Sequence, residues 1–245
     1  MSQPKEITIL QLYPGDMNIY GDWGNTLVLK QRLKWHGYQP VLLEYNLGDK
    51  LPEQIDIIIG GGGQDSGQAK IQHDLLAIGN KLKNLAKNGT PMLAICGLYQ
   101  LFGHKFITGE GKEIKGIGLL DIETVAGKER LIGNVIADSQ EFGEIVGYEN
   151  HSGQTTLGAD VSPLATIRLG AGNNSQDGVE GARYKNVIGS YLHGSLLPKN
   201  PQIADYLIEQ AVANRYNEKP GTLNAPEGLE LATEKARQSA MRRPR

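Results

Sequence analysis

Pro91-Met92-Leu93-Ala94-Ile95-Cys96-Gly97-Leu98-Tyr99-Gln100-Leu101-Phe102-Gly103 carries an apolar run of strand formers into the chain's only cysteine. A glycine follows at once, then a short amphipathic stretch that fits a helical turn. Strand, tight turn and helix in that order predict a nucleophile elbow on a parallel sheet. A thiol at a helix start lies among unpaired backbone N–H groups and the positive end of the dipole, and both favour the reactive thiolate. The Gly97 N–H then faces any oxyanion formed when Cys96 attacks a carbonyl. A lone cysteine in an apolar segment equally fits a small buried hydrophobe, so the choice rests on the flanking sequence.

Upstream of the elbow, residues 7–12 read as a buried strand, broken by Tyr13-Pro14-Gly15-Asp16. Residues 18–25 are a polar loop holding Tyr20, Asp22 and Trp23. Residues 26–35 follow a helical period, 41–43 and 55–59 are strands, and 75–86 are a second helix closed by Asn88-Gly89. This alternation predicts an α/β fold with a doubly wound, mostly parallel sheet. The strand at 55–59 runs into Gly60-Gly61-Gly62-Gly63-Gln64-Asp65, so the glycine run and Cys96 both fall at carboxyl ends of strands, where such sheets bind ligands.

Downstream of residue 106 the texture changes to short glycine-punctuated segments. Residues 116–120, 133–137 and 145–150 read as strands, partly antiparallel, and 186–194 as one further apolar strand ending in His193-Gly194. Asn200-Pro201 opens the last core helix. A domain over 1–218 is therefore expected, followed by a linker and a basic helical tail over 219–245 that ends in Arg237, Arg242, Arg243 and Arg245.

Composition narrows the class. The chain has 245 residues, 39% hydrophobic and 21% charged, with a net charge of -2, which gives no overall pull toward nucleic acid or anionic membrane. One cysteine makes no internal disulfide, and no Cys/His cluster has zinc-ligand spacing. The N-terminal residues lack the apolar core of a signal peptide and no apolar run is long enough to span a bilayer, so a cytoplasmic protein, or one given without its leader, is expected.

The glycine run fails as a phosphate loop: in an alignment from Gly62 to Gly67, Gln68 and Ala69 stand where lysine and a hydroxyl are needed. It also lacks the third glycine and acidic ribose ligand of a dinucleotide site. Its glycines instead allow backbone to approach a small substrate. His193, closing an apolar strand, is the natural base for a thiolate; His151, in Glu149-Asn150-His151-Ser152-Gly153, is its rival. His36, His73 and His104 read as structural or solvated.

Taken together, the Cys96 elbow, the loop at 60–65 and Tyr191-Leu192-His193-Gly194 resemble class I glutamine amidotransferase domains of the cobyric-acid-synthase type, across about residues 5–215. Gly147-Tyr148-Glu149-Asn150-His151, Gly170-Ala171-Gly172-Asn173-Asn174 and Leu197-Pro198-Lys199-Asn200 resemble the GatD family of glutaminase subunits. The resemblance implies that Cys96 forms a glutamyl thioester from L-glutamine with His193 as acid and base. It implies oxyanion donors at Gly97 and Gly62, and substrate contacts from Gly61, Gln100 and Arg130, the last as a fork on the α-carboxylate. It further implies that ammonia passes to a MurT-like ligase subunit, with ATP and Mg²⁺ used there and no cofactor here, to amidate D-glutamate of lipid II. A cobalamin-type amidase and a silent binding module of the same fold are the alternatives.

Two positions depart from the family pattern. Leu98 stands where most members have glycine, which predicts a modestly different turn. Ser195 stands where class I enzymes carry the glutamate that orients the histidine. The expectation is that the partner supplies this acid, with Asp22 as the local fallback.

Overall fold

A computed structural model describes residues 4–193 and 195–242; Gly194, the last three residues (Arg243, Pro244 and Arg245) and the first three residues lie outside the described set. The first sheet contains β1 (Glu6–Leu12), β2 (Gln39–Tyr45), β3 (Ile57–Gly60), β4 (Met92–Ile95), β11 (Ala182–Tyr184) and β12 (Val187–Ser190). Its order is β11-β12-β4-β3-β1-β2, parallel except for the antiparallel β11–β12 pair. Strands β3, β4 and β12 are buried along their length, as parallel strands covered on both faces must be. Helices α1 (Trp23–Trp35), α2 (Asp65–Lys87) and α3 (Gly97–Phe102) follow β1, β3 and β4.

The second sheet contains β5 (Lys105–Ile107), β6 (Glu113–Lys115), β7 (Ile122–Ser139), β8 (Gly143–Leu157), β9 (Ala165–Leu169), β10 (Val179–Glu180) and β13 (Leu192–His193). It is antiparallel apart from the β5–β7 pair. The long β7–β8 hairpin loses register between Ala126 and Leu131, and Arg130 stands in that irregularity. Helices α4 (Leu196–Lys199), α5 (Pro201–Tyr216) and α6 (Leu229–Met241) complete the chain.

Three expectations need correction. Residues 116–120 form no strand: their N–H groups go to the carbonyls of Leu101, Phe102, Gly103 and His104, so the segment satisfies the end of α3 instead of a ladder. Residues 186–194 are not one strand. The chain leaves the first sheet after Ser190, turns at Tyr191, and pairs His193 with Tyr148 in the second sheet. Helix α2 begins ten residues earlier than its apolar period suggests. Gly67 permits this, since a Cβ there would lie 3.0 Å from the Asp16 carbonyl oxygen.

The tail folds back. In α6, Arg237 donates to the Lys199 carbonyl at 2.6 Å, to Asn200 Oδ1 at 3.1 Å and to the Glu144 carbonyl at 3.0 Å. Its guanidinium is thus committed to the core. No helix among the described residues is long and apolar enough to cross a membrane.

Candidate active site

Cys96 is the residue between β4 and α3, with φ 49° and ψ -104°. That left-handed backbone is costly for a non-glycine residue and marks a sharp, strained elbow. Leu98 itself is not among the positive-φ residues; its side chain packs against Gly60, where a Cβ would collide with it. The predicted elbow is therefore built with the strain at Cys96 and with Gly60 making room for the leucine. The Cys96 N–H donates to the Ser190 carbonyl at 2.8 Å, tying the elbow to β12.

His193 is fully buried and reaches the same place from the second sheet. A Cβ on Gly62 would lie 2.6 Å from His193 Cε1 and 3.2 Å from Cys96 Cβ, so the glycine separates the two side chains by little more than its own width. Nδ1 of His193 lies 3.1 Å and 3.2 Å from the two carboxylate oxygens of Asp22. Asp22, the expected local fallback, therefore stands where it can orient the ring from within this chain. Asp22 begins α1, and that turn is fixed from the His193 side: Ser195 Oγ donates to the Gly21 carbonyl at 2.7 Å, and Leu197 N–H donates to Asn25 Oδ1 at 2.9 Å.

Burial alone would lower the His193 pKa, but the Cys96 sulfur and the Asp22 carboxylate outweigh it and push the imidazole up to about 10. A histidine raised in the folded state contributes stability that is full below its ordinary 6.5 and lost as pH rises through about 10. Urea midpoints are therefore expected to fall from pH 7 to pH 10 by the equivalent of roughly 2–4 kcal/mol. Cys96→Ala, which removes the largest raising partner, flattens that dependence.

The rival His151 is excluded as the base. Its ring stacks on Tyr191 at 3.6 Å, and its Nδ1 is bonded to the Gly153 carbonyl. Burial holds its pKa down to about 3, so it remains neutral. His104 pairs with Asp121 at 2.9 Å near the surface, away from Cys96.

The other predicted residues are placed as follows. Gly61 packs on the acid, with a Cβ position 2.8 Å from Asp22 Cβ. The Gly62 N–H donates to Asp22 Oδ2 at 2.7 Å, so this expected oxyanion donor is engaged with the carboxylate. Gly97 opens α3 directly after the nucleophile. Gln100 is buried, accepting from Gln68 Nε2 at 2.8 Å and donating to the Tyr191 hydroxyl at 3.1 Å; it builds the floor of the site instead of facing an open cleft.

Arg130 lies at the mouth, with Nε 2.6 Å from Asn150 Oδ1 and Nη2 3.3 Å from the Tyr20 hydroxyl. Tyr20 in turn stands edge-on to His193, ring centroids 4.9 Å apart. Arg130→Ala is expected to raise KM for glutamine about tenfold, with a smaller change in kcat, in a steady-state assay of glutamate release.

A thiol on a strained elbow, an imidazole facing a buried carboxylate and glycines between them meet at the carboxyl ends of an α/β sheet, an arrangement suited to nucleophilic acyl transfer. Among solved structures the fold matches a glutamine amidotransferase with a TM-score of 0.59 at 17% identity, covering 82% of this chain and 98% of that chain. It also matches the PurLQS structure from Thermotoga maritima with a TM-score of 0.57 at 16% identity, over 88% of this chain and 100% of that chain. The chain belongs to the CobB/CobQ-like glutamine amidotransferase domain family, whose sequence model matches residues 8–201. It is 42% identical to the lipid II isoglutaminyl synthase (glutamine-hydrolyzing) subunit GatD of Staphylococcus aureus, covering 84% of each chain. It is 38% identical to the subunit of the same name from Streptococcus pneumoniae, over 88% of this chain and 84% of that one. Against a cobyric acid synthase of Listeria monocytogenes the identity is 32% over 57% of this chain and only 28% of the relative. The chain is a glutamine amidotransferase of this family, an enzyme that uses glutamine as its nitrogen source.

Proposed function

We propose that this chain is the glutaminase subunit of a lipid II isoglutaminyl synthase. The observation that carries the reading is the convergence of Cys96, His193 and Asp22 in a chain that covers most of the length of its GatD relatives. Cobyric acid synthases are less similar, at 32% identity over 57% of this chain, than the GatD subunits at 42% and 38%.

In this reading the Cys96 sulfur adds to the side-chain amide carbon of L-glutamine. The tetrahedral oxyanion is met by the Gly97 N–H, a donor of a kind worth on the order of 3 kcal/mol of barrier. His193 gives its proton to the leaving nitrogen, ammonia departs, and a glutamyl thioester remains on Cys96. The imidazole, now neutral, takes a proton from water as the hydroxide oxygen attacks the thioester, releasing glutamate and restoring the thiolate–imidazolium pair. Asp22 keeps the ring oriented through both halves. Arg130 and Gly61 serve the amino-acid end of the substrate.

Ammonia is consumed by a MurT-like ligase subunit that activates the D-glutamate carboxylate of lipid II with ATP and Mg²⁺. No cofactor is assigned to this chain, whose amidotransferase domain is taken as residues 1–218. The test measures glutamate release and lipid II amidation by this chain with such a ligase, with Cys96→Ala as control. Coupled release and amidation, both lost with Cys96→Ala, is the expected result. Amidation that survives Cys96→Ala without added ammonium overturns the reading.

A further inference from the structure

His193 is delivered by a corner that neither sheet holds by its own ladder. β12 ends at Ser190 beside Ile95 of β4, and β13 begins at Leu192 beside Glu149 of β8. Between them the chain must change sheets within one residue, and the peptide groups there need other partners. Glu180, the last residue of β10, provides them from a fully buried position. Its Oε1 accepts the Ser190 hydroxyl at 2.7 Å and the Tyr191 N–H at 2.9 Å. Ser190 Oγ in turn accepts the Leu192 N–H at 3.0 Å, while the Ser190 carbonyl accepts the Cys96 N–H at 2.8 Å. One carboxylate oxygen therefore fixes the segment joined to the nucleophile at one end and to His193 at the other.

From this geometry we propose that Glu180 is a positioning residue of the reaction, which sets the approach of His193 to Cys96 through the Ser190–Tyr191 corner. The proposal rests on the reading of Cys96 and His193 as the reacting pair. Burying a carboxylate is expensive, and Oε2 of Glu180 has no hydrogen-bond partner among the described residues. Burial, reinforced by Glu149, pushes its pKa up to about 7, so the group works chiefly as a fixed acceptor and not as a permanent charge. An amide oxygen at the same place can accept the same two bonds.

That equivalence supplies the test, made on the full chain with its ligase subunit and L-glutamine as substrate. Glu180→Ala is expected to lower kcat about a hundredfold, the cost of misplacing a reacting group by about 1 Å, with KM within about twofold. Glu180→Gln should return kcat to within about threefold of the unsubstituted chain. Ser190→Ala should lower kcat in the same direction, and Glu180→Ala/Ser190→Ala should be no slower than Glu180→Ala alone, because the two side chains act through one connection. If Glu180→Ala fails to fold, Ser190→Ala and Glu180→Gln carry the measurement. A Glu180→Ala that loses stability but keeps kcat, or a Glu180→Gln as slow as the alanine variant, overturns the proposal. His193→Ala run in parallel separates the two failures: turnover that survives it sinks the reacting pair itself, whereas turnover lost with His193→Ala but unchanged with Glu180→Ala and Ser190→Ala sinks only the role of Glu180.

Discussion

Asp22→Ala lowers the glutaminase kcat about a thousandfold, and adding the ligase subunit does not restore it. The expectation follows from what Asp22 holds. Its carboxylate faces His193 Nδ1 at 3.1 Å and 3.2 Å, and it also accepts the Gly62 N–H at 2.7 Å. Removing it leaves a buried imidazole with no partner to fix its tautomer, and removal of such a carboxylate in a histidine-based triad costs up to about 10⁴ in kcat. It also frees the glycine segment that spaces the histidine from the cysteine. Asp22→Asn, whose amide can present an N–H to Nδ1 and favour the wrong tautomer, is expected to be comparably slow. Glutamate release measured with and without the ligase decides the source of the acid. Near-normal turnover of Asp22→Ala in the complex would return that role to a partner carboxylate.

Why Asp22 was legible only as a fallback while the nucleophile was legible outright follows from how each is built. Cys96 is announced by a continuous apolar strand, a glycine and a helical turn within a dozen residues, so local pattern suffices. Asp22 lies 171 residues from His193 in a polar loop with no period, and only the tertiary fold brings it in. Ser195 was readable as a missing glutamate. Its actual work, a bond to the Gly21 carbonyl that draws the Asp22 turn toward His193, was not.

The doubly wound sheet was legible because strands buried on both faces are uninterrupted apolar runs. The sheet change at Tyr191 was not, because no proline or charge marks a break within 187–192 and the corner is held by Glu180 from outside the segment. Gln100 was expected to contact substrate, but its neighbours Gln68 and Tyr191 occupy both ends of its amide. Sequence showed the residue, and only packing showed that it is committed.

Gly62→Ala is expected to cost at least a hundredfold in kcat while leaving the protein folded. The backbone at Gly62 is not in the left-handed region, so alanine is allowed there by conformation and the penalty is one of space. The added methyl would meet His193 Cε1 at 2.6 Å, Cys96 Cβ at 3.2 Å and Ile19 Cγ1 at 3.2 Å. The two reacting side chains cannot yield cheaply: His193 is held by Asp22, and Cys96 is pinned in a strained elbow by its bond to Ser190. The imidazole must therefore swing off the sulfur, and an error of about 1 Å in a proton-transferring group costs about a hundredfold. Overpacking of this kind lowers stability by about 1–3 kcal/mol, which a chain of this size survives. Gly109→Ala, where a Cβ meets nothing within 4 Å, is the matched control and should leave turnover unchanged. Circular dichroism establishes folding, and the rate of Cys96 alkylation by iodoacetamide reports the thiolate directly. A folded Gly62→Ala with normal turnover would mean that Cys96 and His193 do not react across this glycine. A slow but folded variant fixes the role of Gly62: it supplies clearance, one missing side chain between a sulfur and an imidazole.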